Sequence, residues 1–296
     1  MGVCDPIILP EYVIIWSIQS PQWLIMNTPQ RTQILLTNDD GIQSPGLWAA
    51  AEALSALGYV TVAAPREQSS GAGRSIPLSS DGKIEKRVLN IGGQDWPVYA
   101  IGGTPTQVVI HAVLEVLPQK PDLIVSGINY GENVSCDITS SGTVGAAMEG
   151  AALGVPSMAV SLHLPNVTAD FTSYSSHFNF PAAAHFTALF AEMLLQHSLP
   201  EGVDFLNINI PHDATPQTEW AFTRLSRQRY FNPYVEPRRS PEESAYINAH
   251  VAPVRETLAP DSDTYQLIFE RRVSVTPMTL DMTAPVDLKA LRAKFS

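Results

Sequence analysis

The chain has 296 residues, with 18 Lys and Arg against 29 Asp and Glu, a net charge of −11, and 45% hydrophobic against 16% charged residues. This composition can fill the core of one large α/β domain, or of a domain with an extension, and it excludes a disordered chain or a disulfide-stapled scaffold. The acidic balance also excludes a nucleic-acid polymer as the main ligand, since phosphate backbones need clustered Lys and Arg; a small anionic substrate would need a metal ion to attract it.

Cys4 and Cys136 form no metal-spaced cluster and fit a reducing compartment, hence the cytoplasm. The apolar run over residues 7–26 has no preceding Lys or Arg and is broken by Pro10, Glu11 and Pro21. It reads neither as a signal peptide nor as a membrane span. Residues 1–30 are expected to be an appendage, with Met26 as a candidate start of the native chain.

From Gln33 onward, short β-rich runs alternate with helical ones. Ile34–Thr37 reads as a buried strand that stops at Asn38-Asp39-Asp40-Gly41. Ser44 as N-cap and Pro45 at the first helical position open a helix whose face carries Leu47, Ala51, Leu54 and Leu57. Tyr59–Ala64 is the next strand. Ile84–Ile101, with Gly92-Gly93 at its middle, reads as a β-hairpin insertion. Thr104-Pro105 opens a helix through about Leu117, and Leu123-Ile124-Val125 is a strand ending at Ser126-Gly127-Ile128-Asn129. Thr143–Leu153 predicts a helix, Met158–Leu162 a strand, Pro181–Gln196 an amphipathic helix and Phe205–Ile210 a strand. Alternation of this kind implies βαβ crossovers and an α/β, doubly wound, mostly parallel sheet over residues 31–215. Residues 216–296 change character: prolines are scattered, Glu236–Glu243 is charged, and 264–276 alternates like a strand around Leu267, Phe269, Val273 and Val275. This C-terminal extension is expected to pack on the sheet domain or on a partner subunit.

Ligands of an open parallel sheet bind outside the carboxyl ends of its strands. That rule gathers Asp39-Asp40, Ser70 in the loop after the second strand, Asn129 and Asn133, and Ser141-Gly142-Thr143 at a helix N-terminus. Taken singly, each has an ordinary explanation as a solvated loop, a turn or a cap. Taken together they form an all-oxygen set suited to Mg²⁺ or Mn²⁺, with helix N–H groups suited to a phosphate. The histidines read as structural, apart from His163, a candidate for substrate contact beyond a strand.

The segments Leu35–Gly41, Gly103–Thr106, Ser126–Asn129, Ser141–Val144, Ala147–Gly150, Asn207–Pro211 and Val273–Pro277, in this order, resemble the SurE family of metal-dependent nucleoside monophosphate phosphatases. The likeness runs from about Gln33 to Thr283. It implies a Rossmann-like core, a subunit-contacting C-terminal extension and a homodimer or homotetramer. It also implies a single divalent metal ion held by Asp39, Asp40, Ser70 and Asn129, with Asn133, Ser141, Gly142 and Thr143 around the phosphate. Ser140 stands where the family often has an aromatic residue, and Cys136-Asp137 where many members carry Gly and Asp.

The expected reaction is hydrolysis of nucleoside 5′-monophosphates, with 3′-monophosphates and short polyphosphate as further substrates, at Asp39 and Asp40 and without a membrane. Three alternatives compete. A phospho-acceptor receiver module needs an Asp where Asn129 stands. A dinucleotide-dependent oxidoreductase needs a complete G-x-G-x-x-G, of which Gly71-Ala72-Gly73 is a fragment. A haloacid-dehalogenase-type phosphatase wants its two aspartates separated by one residue.

Overall fold

The computed structural model describes residues 31–165 and 180–295. The appendage expected over 1–30 lies outside them. Strand β1 (Gln33–Thr37) is buried along Ile34–Thr37. It lies between β2 (Tyr59–Pro65) and β5 (Leu123–Tyr130), parallel to both, once β3 (Ile84–Ile91) and β4 (Gln94–Ile101) have formed an antiparallel hairpin. β6 (Ser157–Leu162), β7 (Phe205–Ile210) and the short β8 (Trp220–Phe222) follow. β9 (Phe231–Val235) and β10 (Ile247–Val251) pair with each other in a two-stranded sheet, and β11 (Val273–Met278) returns to the main one.

The main sheet has the order β3-β4-β2-β1-β5-β6-β7-β11-β8. Its six strands from β4 to β7 run parallel to their neighbours; β3 and β11 are antiparallel to β4 and β7. The hairpin read as an insertion is therefore the continuation of the sheet at one edge, joined through β4 to β2.

Alternate residues of β1 face opposite layers, as the pleat requires. Ile34 and Leu36 join Leu47, Leu54, Phe186 and Phe190 under helices α1 (Pro45–Leu54) and, further along the chain, Phe180–Gln196. Leu35 joins Val108, Val109 and Ala146 under α2 (Pro105–His111) and α3 (Gly142–Ala152). Burial on both faces accounts for the unbroken apolar run that marks β1 in the sequence. The Phe180–Gln196 helix is α4; α5 (Asp263–Ile268) and α6 (Leu288–Ala293) complete the set.

Three local expectations need correction. Ser44 occupies the N-cap position of α1 but makes no capping bond, and its Oγ is buried without a partner. The helix expected to run to Leu117 is α-helical only to His111 and continues as a π turn over Ala112–Val116. Residues 264–276 are not one strand. Ser262 Oγ accepts the Tyr265 N–H and starts α5, so only Val273 onward is extended. Leu267 and Val273 are both fully buried, one from a helix and one from a strand, which produced a false period of two.

β5 changes register against β6 between Ser126 and Asn129, and this irregularity carries the strand end toward the ligand edge. Gly127 permits it. Its φ is +141°, and a Cβ there would lie 2.3 Å from the Val160 carbonyl oxygen. Gly127→Ala is expected to destabilise the protein by about 2 kcal/mol or more through strain and overlap. Thermal unfolding of the two proteins side by side measures this as a lower midpoint for the variant.

Candidate active site

The turn after β1 is shaped by Asn38, whose Nδ2 donates to the Gly41 carbonyl at 3.1 Å while its Oδ1 accepts the Gly41 N–H at 3.1 Å. This Asx-type closure brings Asp39 and Asp40 to the sheet edge, each only 5% exposed. Asp39 Oδ1 accepts the Thr143 hydroxyl at 2.6 Å and Oδ2 the Thr143 N–H at 3.2 Å. Asp40 Oδ2 accepts the Tyr130 N–H at 3.2 Å, and Gln68 Nε2 lies 3.5 Å from Oδ1.

Burial pushes the Asp39 carboxyl above its ordinary value, against the opposing pull of its hydrogen bonds from Thr143 and Gly142. Asp40 is pushed up to about 7, by burial first and then by the charge of Asp39. Two neighbouring carboxylates out of water form a site in which a cation is worth most.

Ser70 comes from the loop after β2. Ser69 N–H donates to the Asp39 carbonyl at 2.8 Å, Gly73 N–H to the Ser140 carbonyl at 2.9 Å, and Arg74 pairs with Glu149 of α3 at 2.8 Å. Gln68 Nε2, bridging toward Asp40, donates to Ser70 Oγ at 3.1 Å. Asn129 donates its Nδ2 to the Gly131 carbonyl at 2.7 Å, so its amide nitrogen is engaged locally and its oxygen is the ligand atom on offer.

Asn133 is held by the most extensive network. Its N–H donates to Asn209 Oδ1 at 2.8 Å; its carbonyl accepts Asn207 Nδ2 at 2.8 Å and Asn209 Nδ2 at 2.9 Å; its own Nδ2 donates to Ser161 Oγ at 2.8 Å. Asn207 and Asn209 were not among the sequence candidates; the signal there is only an Asn-x-Asn spacing inside the apolar run Phe205–Ile210, and both prove fully buried on one face of β7. Gln68 and the Tyr130 N–H were also missed.

Asp39, Asp40, Ser70, Asn129, Asn133 and Ser141 line one cavity of about 180 Å³, together with Glu132, Ser140, Leu164 and Phe231. Gly142 and Thr143 are not part of its lining. Thr143 is turned onto Asp39, and Gly142 packs so closely that a Cβ would lie 2.9 Å from Asp39 Cβ. In this geometry both residues brace the carboxylate. Ser141 caps α3, its Oγ accepting the Val144 N–H at 3.1 Å. His163 also lies outside the lining: it is buried beside His212, and burial together with the Arg271 charge lowers its pKa to about 4. A larger groove of about 800 Å³, bordered by Met148, Phe222, Met278 and Met282, contains none of the strand-end carboxylates or amides.

No Lys, Arg, His or Cys among the described residues lines the 180 Å³ cavity. Among the described residues, no cluster of three or more His, Cys, Asp or Glu side chains is arranged to hold a metal. A cation there would depend on the neutral oxygens of Ser70 and Asn129 beside the two carboxylates, a hard donor set that fits Mg²⁺ or Mn²⁺ and not zinc.

Residues 34–232 match the family model described as survival protein SurE. The chain is 45% identical over 260 residues to the 5′-nucleotidase SurE of Thermococcus kodakarensis, covering 88% of this chain and 97% of that protein. It is 43% identical over 255 residues to the 5′-nucleotidase SurE of Methanocella arvoryzae, covering 85% and 93%. The crystal structure of the SurE protein from Aquifex aeolicus superposes with a TM-score of 0.69 at 31% identity, covering 89% of this chain and all of that one. With strand-end motifs, sheet and full-length relatives in agreement, the chain belongs to the SurE family.

Proposed function

We propose that the protein hydrolyses nucleoside 5′-monophosphates to nucleoside and phosphate, using a divalent cation held by Asp39, Asp40, Ser70 and Asn129. The observation that carries this reading is a cavity with a buried carboxylate pair and, among the described residues, no cationic side chain. A dianionic phosphate enters such a cavity only with a cation, and the relatives named 5′-nucleotidase SurE point to the same substrate class.

When bound, Mg²⁺ or Mn²⁺ supplies Lewis acidity toward a phosphoryl oxygen. The chain supplies the rest. Thr143 and Gly142 fix Asp39 through hydrogen bonds, so its oxygens need not reorganise during the reaction. Asn133 is immobilised by Asn207 and Asn209, with one Nδ2 hydrogen on Ser161 and the second available to a phosphoryl oxygen. The Ser141 lone pair takes the Val144 N–H, which leaves its hydroxyl hydrogen for the same purpose. Among the described residues the lining holds no Ser–His or Cys–His pair, and in this reading water serves as the nucleophile. The proposal includes a homodimer or homotetramer in the cytoplasm. Among the described residues no helix is long and apolar enough to cross a membrane.

Two outcomes are expected. First, a phosphate-release panel over nucleoside 5′- and 3′-monophosphates and short polyphosphate should show turnover with Mg²⁺ or Mn²⁺ that chelation removes. Asp40→Asn should lower kcat/KM by about 100-fold or more, equivalent to about 3 kcal/mol of lost transition-state stabilisation. Undiminished activity in that variant would contradict the assignment. Second, Mn²⁺ at about 100 times its Kd should stabilise the folded protein by about 2.7 kcal/mol, seen as a raised melting midpoint. Asp40→Asn should abolish the rise.

A further inference from the structure

The cavity has a side that the hydrolytic chemistry does not use. Phe231, at the start of β9, and Leu164 line the space that holds Asp39 and Asp40, as does Tyr130, whose side chain is buried at 8% exposure while that of Phe231 is half-exposed. Phe231 is half-buried and firmly backed. It packs against Val134, Tyr230 and Leu267, with the Tyr230 ring edge-on at a centroid distance of 4.9 Å. Its main chain is clamped as well. Asp137 Oδ2 accepts the N–H of Tyr230 at 2.9 Å and that of Phe231 at 3.0 Å, along with the Ser135 hydroxyl at 3.0 Å. An aromatic ring at the rim of an anion-binding cavity, fixed from behind by a carboxylate clamp, is prepared to receive a flat ligand and not merely to fill a core.

Glu132 narrows the identity of that ligand. It lines the same cavity at 3% exposure, its Oε2 accepts the Leu164 N–H at 3.1 Å, and the Tyr230 hydroxyl hydrogen-bonds to its carboxyl group. A carboxyl group in this position disfavours a second phosphate on this side and favours a neutral part of the ligand there. A sugar and a nucleobase have that character.

We propose that Phe231 is the platform on which the nucleobase stacks, so that the C-terminal part of the chain contributes the base subsite and Asp137 positions it. This inference rests on the nucleotidase reading and extends it to the residue that senses the base. Stacking on an aromatic ring is tolerant of base identity, because every base presents a π face.

The test compares adenosine 5′-monophosphate with ribose 5-phosphate, which shares the sugar and phosphate but lacks the base, at saturating Mn²⁺. Phe231→Ala is expected to raise KM for the nucleotide about tenfold with kcat nearly unchanged, and to leave both constants for ribose 5-phosphate unaltered. Phe231→Trp should restore the nucleotide KM. Equal loss on both substrates, or no change on the nucleotide, would overturn the platform while leaving the nucleotidase reading intact. If the wild-type protein releases phosphate from neither compound, the nucleotidase reading fails, and the platform with it.

Discussion

Two adjacent carboxylates excluded from water set the terms for everything at the sheet edge. Burying one such charge costs several kcal/mol, and placing a second beside it adds repulsion. A charge-assisted hydrogen bond returns about 1.5–3 kcal/mol. Thr143 and the Gly142 N–H serve Asp39, and the Tyr130 N–H serves Asp40, drawing on helix α3 and strand β5. These bonds lessen the penalty without neutralising either charge, and the Asp40 carboxyl stays well above its ordinary value. The pair is thus shaped for a counter-charge from outside the chain. Gly142 belongs to the same solution, because a side chain there would push the helix away from Asp39.

The remainder of the fold carries distant residues to this edge. β5 delivers Asn129 through its register irregularity, and the loop after β2 delivers Ser70 through main-chain bonds to Asp39 and Ser140. The segment beyond β7 takes part in the same network. Asp263, fully buried in α5, accepts the N–H of Ser135, Ser226 and Thr264 at 2.7, 2.9 and 2.7 Å. Asp137 ties the same active-site loop to Tyr230 and Phe231. Residues more than 90 positions apart are joined by these bonds, so the loop bearing Asn133 cannot be ordered independently of the chain's last third.

The sheet and the carboxylate pair at its edge were legible because each relies on a local pattern. A fully apolar strand running into Asn-Asp-Asp-Gly announces both the strand and the carboxylates at its end. Ser70, Asn129 and Asn133 stand out by their place after strands, and the fold brings all three to the lining of one cavity. Other features depend on contacts that no local window contains. Thr143 looked like a phosphate donor because helix N-termini suit anions, but the anion it meets is Asp39, 104 positions away. Asn207 and Asn209 read as ordinary polar residues of a strand until β7 is placed beside the loop that holds Asn133. The helix α5 was hidden by a period of two, since a short helix followed directly by a strand can imitate alternation when few of its positions are apolar.

The brace around Asn133 consists of uncharged amides and one hydroxyl. None of its members gains or loses a proton across the range in which proteins stay folded, and dissolved ions have no charge there to screen. The Arg255–Glu270 pair, half-exposed at the periphery, carries full charges that dissolved ions do screen. Concentrated salt should therefore loosen the outer ion pairs of the molecule well before it disturbs the alignment of that asparagine.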